Sequence, residues 1–255
     1  MAGLGQATAQ ALLDWEQAHA DALLSDVFGY HALQLGWPAL DSLRANRMPH
    51  RWTAHTEWEG TDPLCEATSV CGAGVWMDSR AWPWPAESLD LVVLPHSLEQ
   101  TADPHACLRE VERVLIAEGQ VVITGISPWS LWGWHQSRFV RQQRSHAPAC
   151  HAGQLLGCNR VRDWLGLLGF EVQLVQYGGW APAVQTDRWR QRWAWLDRWG
   201  QRWWPFWGGA YLIVATKRVP GGRLLTSRPW RKVRSAASSP APAARSDVGS
   251  GPIGP

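Results

Sequence analysis

The sequence predicts an α/β chain built on a doubly wound sheet. Two observations lead there. Short apolar segments that read as strands alternate along the chain with segments of helical spacing. One of them, Leu89 to Leu94 (LDLVVL), is the continuous apolar run that a strand buried on both faces requires.

The elements follow in order. Residues 6–28 have the spacing of an amphipathic helix, with Leu13, Ala20, Leu24 and Val27 on one side and Asp14, Gln17 and Asp21 on the other. Tyr30 to Leu35 reads as a strand that stops at Gly36, and Pro38 opens a helix through Asn46, because proline suits a first turn. His50 to Thr56 forms a second strand, residues 57–70 have turn composition, and Ala73 to Met77 is a third strand ending at Asp78. After the central strand, Asp103 is a good N-cap with Pro104 at the first helical position, and Leu108, Val111 and Leu115 carry that helix to Glu118 and Gly119. Gln120 to Ile126 is the next strand. A helix at Asn159 to Leu168, a strand at Phe170 to Tyr177, a Trp/Arg-rich helix at Gln185 to Trp204 and a last strand at Ala210 to Thr216 complete the domain, residues 1–218. From residue 219 to 255 the composition turns to Gly, Pro, Ser, Ala and Arg, which buries too little apolar surface to offset chain entropy and predicts a disordered basic tail.

Composition narrows the function classes. No apolar run approaches the ~18 residues of a spanning helix. The first residues show no basic region followed by an apolar core, so no secretory signal is apparent. The five cysteines, Cys65, Cys71, Cys107, Cys150 and Cys158, form no C-x-x-C pair, which suits a reducing compartment and makes the cytoplasm the expected location. The net charge of +2 hides a division: residues 1–118 carry 6 basic and 17 acidic groups, residues 119–255 carry 18 and 5, so the halves stand at −11 and +13. Twenty residues are tryptophan, eight of them between Trp180 and Trp207, too many for one core to absorb.

In a parallel α/β sheet ligands sit beyond the carboxyl ends of the strands, near the point where strand order reverses. The residues at those ends are Gln34 to Pro38, Glu57, Asp78 and Ser79, Pro95 and His96, and Gly125 to Pro128. The stretch from Asp78 through Ser88-Leu89-Asp90-Leu91-Val92-Val93, Leu94-Pro95-His96-Ser97-Leu98-Glu99, the Asp103-Pro104 helix start and Arg109-Glu110-Val111-Glu112-Arg113-Val114-Leu115 resembles the type 11 group of class I S-adenosylmethionine-dependent methyltransferases. The resemblance is collinear over roughly 45 residues. It implies a seven-stranded, mostly parallel, Rossmann-like sheet, S-adenosylmethionine as cofactor, and methyl transfer to an acceptor that the sequence does not identify.

By this resemblance Asp78 would hold the adenine amino group and Ser79 would add a neighbouring contact, while Pro95 and His96 would lie beside the sulfonium and the acceptor. His96 could serve there as a general base, or simply bond a backbone carbonyl, since methyl transfer works largely by in-line approach and desolvation. At the first strand the chain departs from the family: Gln34-Leu35-Gly36-Trp37-Pro38 replaces an acid followed by a Gly-x-Gly-x-Gly turn. Gln34 would accept a hydrogen bond but could not ion-pair with the methionine ammonium, and Gly36 alone would let the cofactor approach the backbone. The ribose acid would be Glu57 or Glu59.

Other features stay open at this stage. Ser127 to Trp134, with three indoles in six residues, would either close over a planar substrate or pack against the domain. His146, Cys150, His151 and Cys158 match no zinc-site spacing, so no metal is expected. The 185–204 helix puts Trp189, Trp193, Leu196, Gly200 and Trp203 on one face with Arg188, Arg192 and Arg202 at its edge. That composition suits either packing on the sheet or a peripheral contact with anionic membrane through residues 185–207, with single-stranded nucleic acid a third and weaker reading. The altered glycine turn also leaves an alternative function: a non-catalytic scaffold or binding module on the same fold.

Overall fold

The computed structural model describes residues 6–37, 39–56, 74–134, 137, 154–180, 203 and 208–219. The Trp/Arg segment, Glu57, Glu59 and the tail beyond Val219 lie outside them, so the readings made there concern residues whose structure is not described.

Seven strands form one sheet in the order β3-β2-β1-β4-β5-β7-β6. They are β1 (His31–Leu35), β2 (His50–His55), β3 (Gly74–Trp76), β4 (Leu89–Pro95), β5 (Leu115–Ile126), β6 (Phe170–Gly178) and β7 (Ala210–Lys217). β1 to β5 pair in parallel, and β7 runs antiparallel between β5 and β6. Strand order reverses between β1 and β4, which fixes the switch point of this sheet. The helices are α1 (Gln6–Leu24), α2 (Ser97–Gln100), α3 (Pro104–Val114) and α4 (Cys158–Leu167).

Alternation along the strands divides the core in two, because successive side chains point to opposite faces. Leu33, Leu35, Val92, Leu94, Val121, Ile123 and Ile213 join Leu108, Val111, Val161 and Leu165 of α3 and α4 on one face. Ala32, Leu91, Val93, Val122, Leu212 and Val214 join Ala20 and Leu24 of α1 on the other. Burial along α1 recurs every fourth residue, at Thr8, Leu12, Glu16, Ala20 and Leu24, so the ridge facing the sheet differs from the Leu13-centred face expected from the sequence. One member of that ridge is a carboxylate.

The Asp103 cap forms as expected, its side chain accepting from Ala106 N at 3.0 Å with Pro104 in the first turn. Two elements differ. Residues 39–46 are a chain of turns, with Leu40 N bonded to Trp37 O, Arg44 N to Asp41 O and Asn46 N to Leu43 O. Side chains stand in for the helical ladder there: Gln34 bonds Leu40 O and Ser42 N, while Asn46 donates to Leu24 O and accepts from Met48 N. α3 also ends four residues early, and β5 begins at Leu115 because Leu115 pairs with Leu89 while a bulge carrying Glu118 at positive φ restores register at Leu91 and Gln120.

Candidate functional site

The carboxyl ends of β1 and β4 flank the switch point, and the chain brings them into direct contact. Gly36 leaves β1 with φ +96°, and a Cβ there would stand 2.3 Å from Ser97 Oγ and 2.9 Å from Pro95 O. Glycine is therefore required both by backbone conformation and by the packing of the β4–α2 junction. Ser97 Oγ donates to Leu35 O, closing the two strand ends together. Trp37, half buried, meets the His96 ring in a T-shaped contact, with centroids 5.2 Å apart.

His96 is the centre of this edge. It has φ +54°, a left-handed conformation uncommon for a residue with a side chain, and it is 1% exposed. Its Nε2 donates to Glu16 Oε1 at 2.8 Å and its Nδ1 to Glu99 Oε2 at 3.3 Å. Burial opposes the charged ring, but the charge and hydrogen bond of Glu16, with the further bond and charge of Glu99, outweigh it and push the imidazolium up to about 10. A ring protonated on both nitrogens has no lone pair with which to accept a proton. His96 lies between two carboxylates, and its ring bonds these side chains rather than a backbone carbonyl.

Glu99 bridges onward. Its Oε1 accepts from Ile126 N at the end of β5, and its backbone oxygen accepts from Gln154 N at 3.0 Å. Glu16 reaches the site from α1, and its second oxygen, Oε2, is buried without a hydrogen-bond partner among the described residues. Neither acid was singled out in the sequence. Glu16 carried a signal, an acid at the middle of a Leu12, Ala20, Leu24 ridge of four-residue spacing.

The other expected site residues distribute unevenly. Gln34 is buried on β1, but its amide is spent on the following segment, donating to Leu40 O and accepting from Ser42 N at 2.9 Å. These two bonds pin residues 40–42 to β1. Pro95 ends β4, buried, with its carbonyl facing the Gly36 turn. Asp78 stands exposed just past β3, where its Oδ1 accepts from Arg80 N at 2.9 Å in a tight turn closed by Ala81 N on Asp78 O. Ser79 offers its carbonyl to Trp82 Nε1 at 3.0 Å. That turn is fastened to α3: Trp82 N donates to Glu110, and Arg113 bonds the Trp82 and Trp84 carbonyls and pairs with Glu110 at 2.7 Å.

The segment after β5 resolves into two behaviours. Trp132 is buried with Leu12 and Ile126, and its ring fills the space over Gly179 and Gly209. Trp129 and Trp134 are exposed, as is Leu131. A separate groove lined by Asn159, Arg162, Asp163, Phe170 and Val172 lies at the amino end of β6, on the opposite edge of the sheet.

S-adenosylmethionine can be tested against these residues. An exposed carboxylate just past β3, a carbonyl at the end of β4 and the buried Glu16 Oε2, without a partner among the described residues, are acceptors of the kind a nucleoside and a cationic amino acid moiety need. The acceptor types fit, although the β1 acid is missing.

Residues 64–123 match the family model of a methyltransferase domain, the type 11 model. That interval contains the stretch from Asp78 to Leu115 quoted above. Over that interval the chain is similar to the type 11 group of class I methyltransferases. Solved structures of similar fold extend the likeness beyond the matched interval. A Thermotoga maritima S-adenosylmethionine-dependent methyltransferase superposes with a TM-score of 0.60 at 12% identity, covering 83% of this chain and 91% of that one. A chain from the Haloferax volcanii complex of the Trm112 methyltransferase activator with its methyltransferase gives 0.56 at 20% identity, covering 80% and 90%. The [4+2]-cyclase SpnF gives 0.50 at 14% identity over 81% of each chain, so this fold also hosts other chemistry. Among curated proteins, the Escherichia coli (strain K12) protein YafS, itself uncharacterized, is 39% identical over 98 residues. That match spans 38% of this chain and 39% of YafS. Among the described residues of this methyltransferase-fold chain, no helix is long and apolar enough to cross a membrane.

Proposed function

We propose that this chain binds S-adenosylmethionine at the carboxyl edge of β1, β3 and β4 and transfers its methyl group to an acceptor yet to be identified. The observation that carries the reading is the convergence of the Gly36 turn, Pro95 and the buried acids around His96 at the switch point, on a chain whose residues 64–123 match the type 11 methyltransferase model. Bound S-adenosylmethionine supplies an electrophilic methyl group on a sulfonium, open to in-line attack.

The chain's own residues contribute binding, orientation and charge. Asp78 would accept from the nucleoside, with Ser79 beside it, and the turn that carries both is held rigid by Arg113 and Glu110. The Pro95 carbonyl and the acids around His96 make the β4 end negative, which favours a cationic sulfonium and does not require a proton acceptor. His96 acts as a positioning residue by fixing Glu16 and Glu99.

The experiment is titration calorimetry with S-adenosylhomocysteine on wild type and Asp78→Ala. One site per chain is expected, weakened at least tenfold in the variant, as the loss of a hydrogen bond to a charged group predicts. Absence of heat at millimolar ligand would end the reading. A second reading, a non-catalytic binding module on the same fold, is favoured by the closeness of Ser97 to Gly36, since the room beside that glycine is already occupied. Turnover with any acceptor, lost in Asp78→Ala, would exclude it.

A further inference from the structure

The end of β1 brings no negative charge to the site. Its Gln34 amide is consumed by Leu40 O and Ser42 N, so the ammonium of an amino acid ligand finds no partner there. The negative charge lies one strand away. Glu16 and Glu99 enclose a single imidazolium, which gives the cluster a net charge of −1 while His96 stays protonated.

A buried cluster with an unbalanced charge is costly to hold, and a buried oxygen without a donor adds to the cost. Glu99 alone would neutralise His96, and its other oxygen is already taken by Ile126 N. Glu16 is therefore one carboxylate more than the imidazolium needs. Its side chain is 0% exposed, and its Oε2 has no partner among the described residues. The ring that Glu16 holds touches Trp37, the residue next to the Gly36 turn, so the surplus acid belongs to the wall of the switch point.

We propose that Glu16, delivered by α1, receives the ammonium of the cofactor's methionine moiety in place of the carboxylate absent from β1. The inference rests on the reading of this chain as an S-adenosylmethionine binder. It makes α1 part of the binding site and not only a cover for the sheet.

Calorimetry with three probes tests it: S-adenosylhomocysteine, its analogue lacking the amino group, and 5′-methylthioadenosine, which lacks the whole amino acid. Wild type is expected to bind the first at least tenfold more tightly than the deamino analogue. Glu16→Gln is expected to weaken S-adenosylhomocysteine at least tenfold and to leave methylthioadenosine within about twofold. Equal affinity of wild type for the first two probes would overturn the proposal while leaving cofactor binding intact, as would equal weakening of S-adenosylhomocysteine and methylthioadenosine by the substitution. Should the variant not fold, the wild-type comparison decides alone. If wild type binds none of the three, the reading underneath fails and this inference falls with it.

Discussion

The Nε2 of His96 stands 2.8 Å from Oε1 of Glu16, residues 80 positions apart, and the contact ties α1 to the end of the central strand. With Glu99 on the other nitrogen, it makes one buried ionic cluster the junction of α1, β4, α2 and β5. Removing the cation leaves two buried acids without compensation. His96→Gln is expected to destabilise the fold by ~3–5 kcal/mol, the range for breaking a buried pair from one side. Chemical denaturation measures it, and a loss below about 1 kcal/mol would contradict the cluster's role.

The same residue sets a pH dependence. His96 titrates at about 10 in the folded chain against 6.5 unfolded, so between those values the native state holds more protons than the unfolded state and stability falls as pH rises. Its contribution is complete below 6.5. Above about 9 Cys107 adds a loss of the same sign, because burial pushes its thiol up to about 12. In denaturation midpoints between pH 6.5 and 9 the downward slope expected of wild type should be reduced in His96→Gln.

Gly36→Ala introduces a Cβ 2.3 Å from Ser97 Oγ in a backbone of φ +96°. Strain of this kind costs ~1–3 kcal/mol before any clash is relieved. The double variant with Ser97→Gly should recover only part of the loss, because Pro95 O remains 2.9 Å away. Thermal unfolding of the three proteins checks this order.

Lys217 holds the end of α3. Its ammonium donates to Glu112 O at 2.6 Å and Leu115 O at 3.0 Å and pairs with Glu112 at 3.1 Å. Lys217→Met keeps the apolar stem but leaves the two carbonyls without that donor, an expected cost of ~1–3 kcal/mol. A stability unchanged in urea would show that water replaces the lysine at no cost.

The tryptophans after β5 should behave oppositely. Trp132→Ala opens a cavity beneath Gly179 and Gly209 and is expected to cost ~3–5 kcal/mol. Trp129→Ser, at a side chain that is 85% exposed, should stay within ~0.5 kcal/mol of wild type. Melting temperatures compared side by side decide the contrast.

The central fold was legible because its signals are local. LDLVVL could only be a doubly buried strand, and Asp103 with Pro104 marks a helix start without reference to anything distant. The 38–46 segment misled because a proline-led helix start is a local cue, whereas the chain's turns are held by Gln34 and Asn46 from outside that segment or across it. The site was legible only in its backbone positions. Gly36, Asp78 and Pro95 follow from where strands end, but the state of His96 depends on an acid 80 residues away in sequence, and no spacing rule relates the two. Glu16 shows the same limit from the other side: a charge on a helical ridge reads as a flaw in the pattern until its partner is known. Trp129 and Trp132 are alike in composition, and only the glycines at 179 and 209, far along the chain, distinguish the buried ring from the exposed one.

The most direct measurement is a crystal structure of the protein soaked with S-adenosylhomocysteine. The expected density lies across the carboxyl ends of β3, β1 and β4, with the adenosine at Asp78 and the amino group at Glu16. Density confined to another surface, or none at millimolar ligand, would contradict the assignment of this edge as the cofactor site.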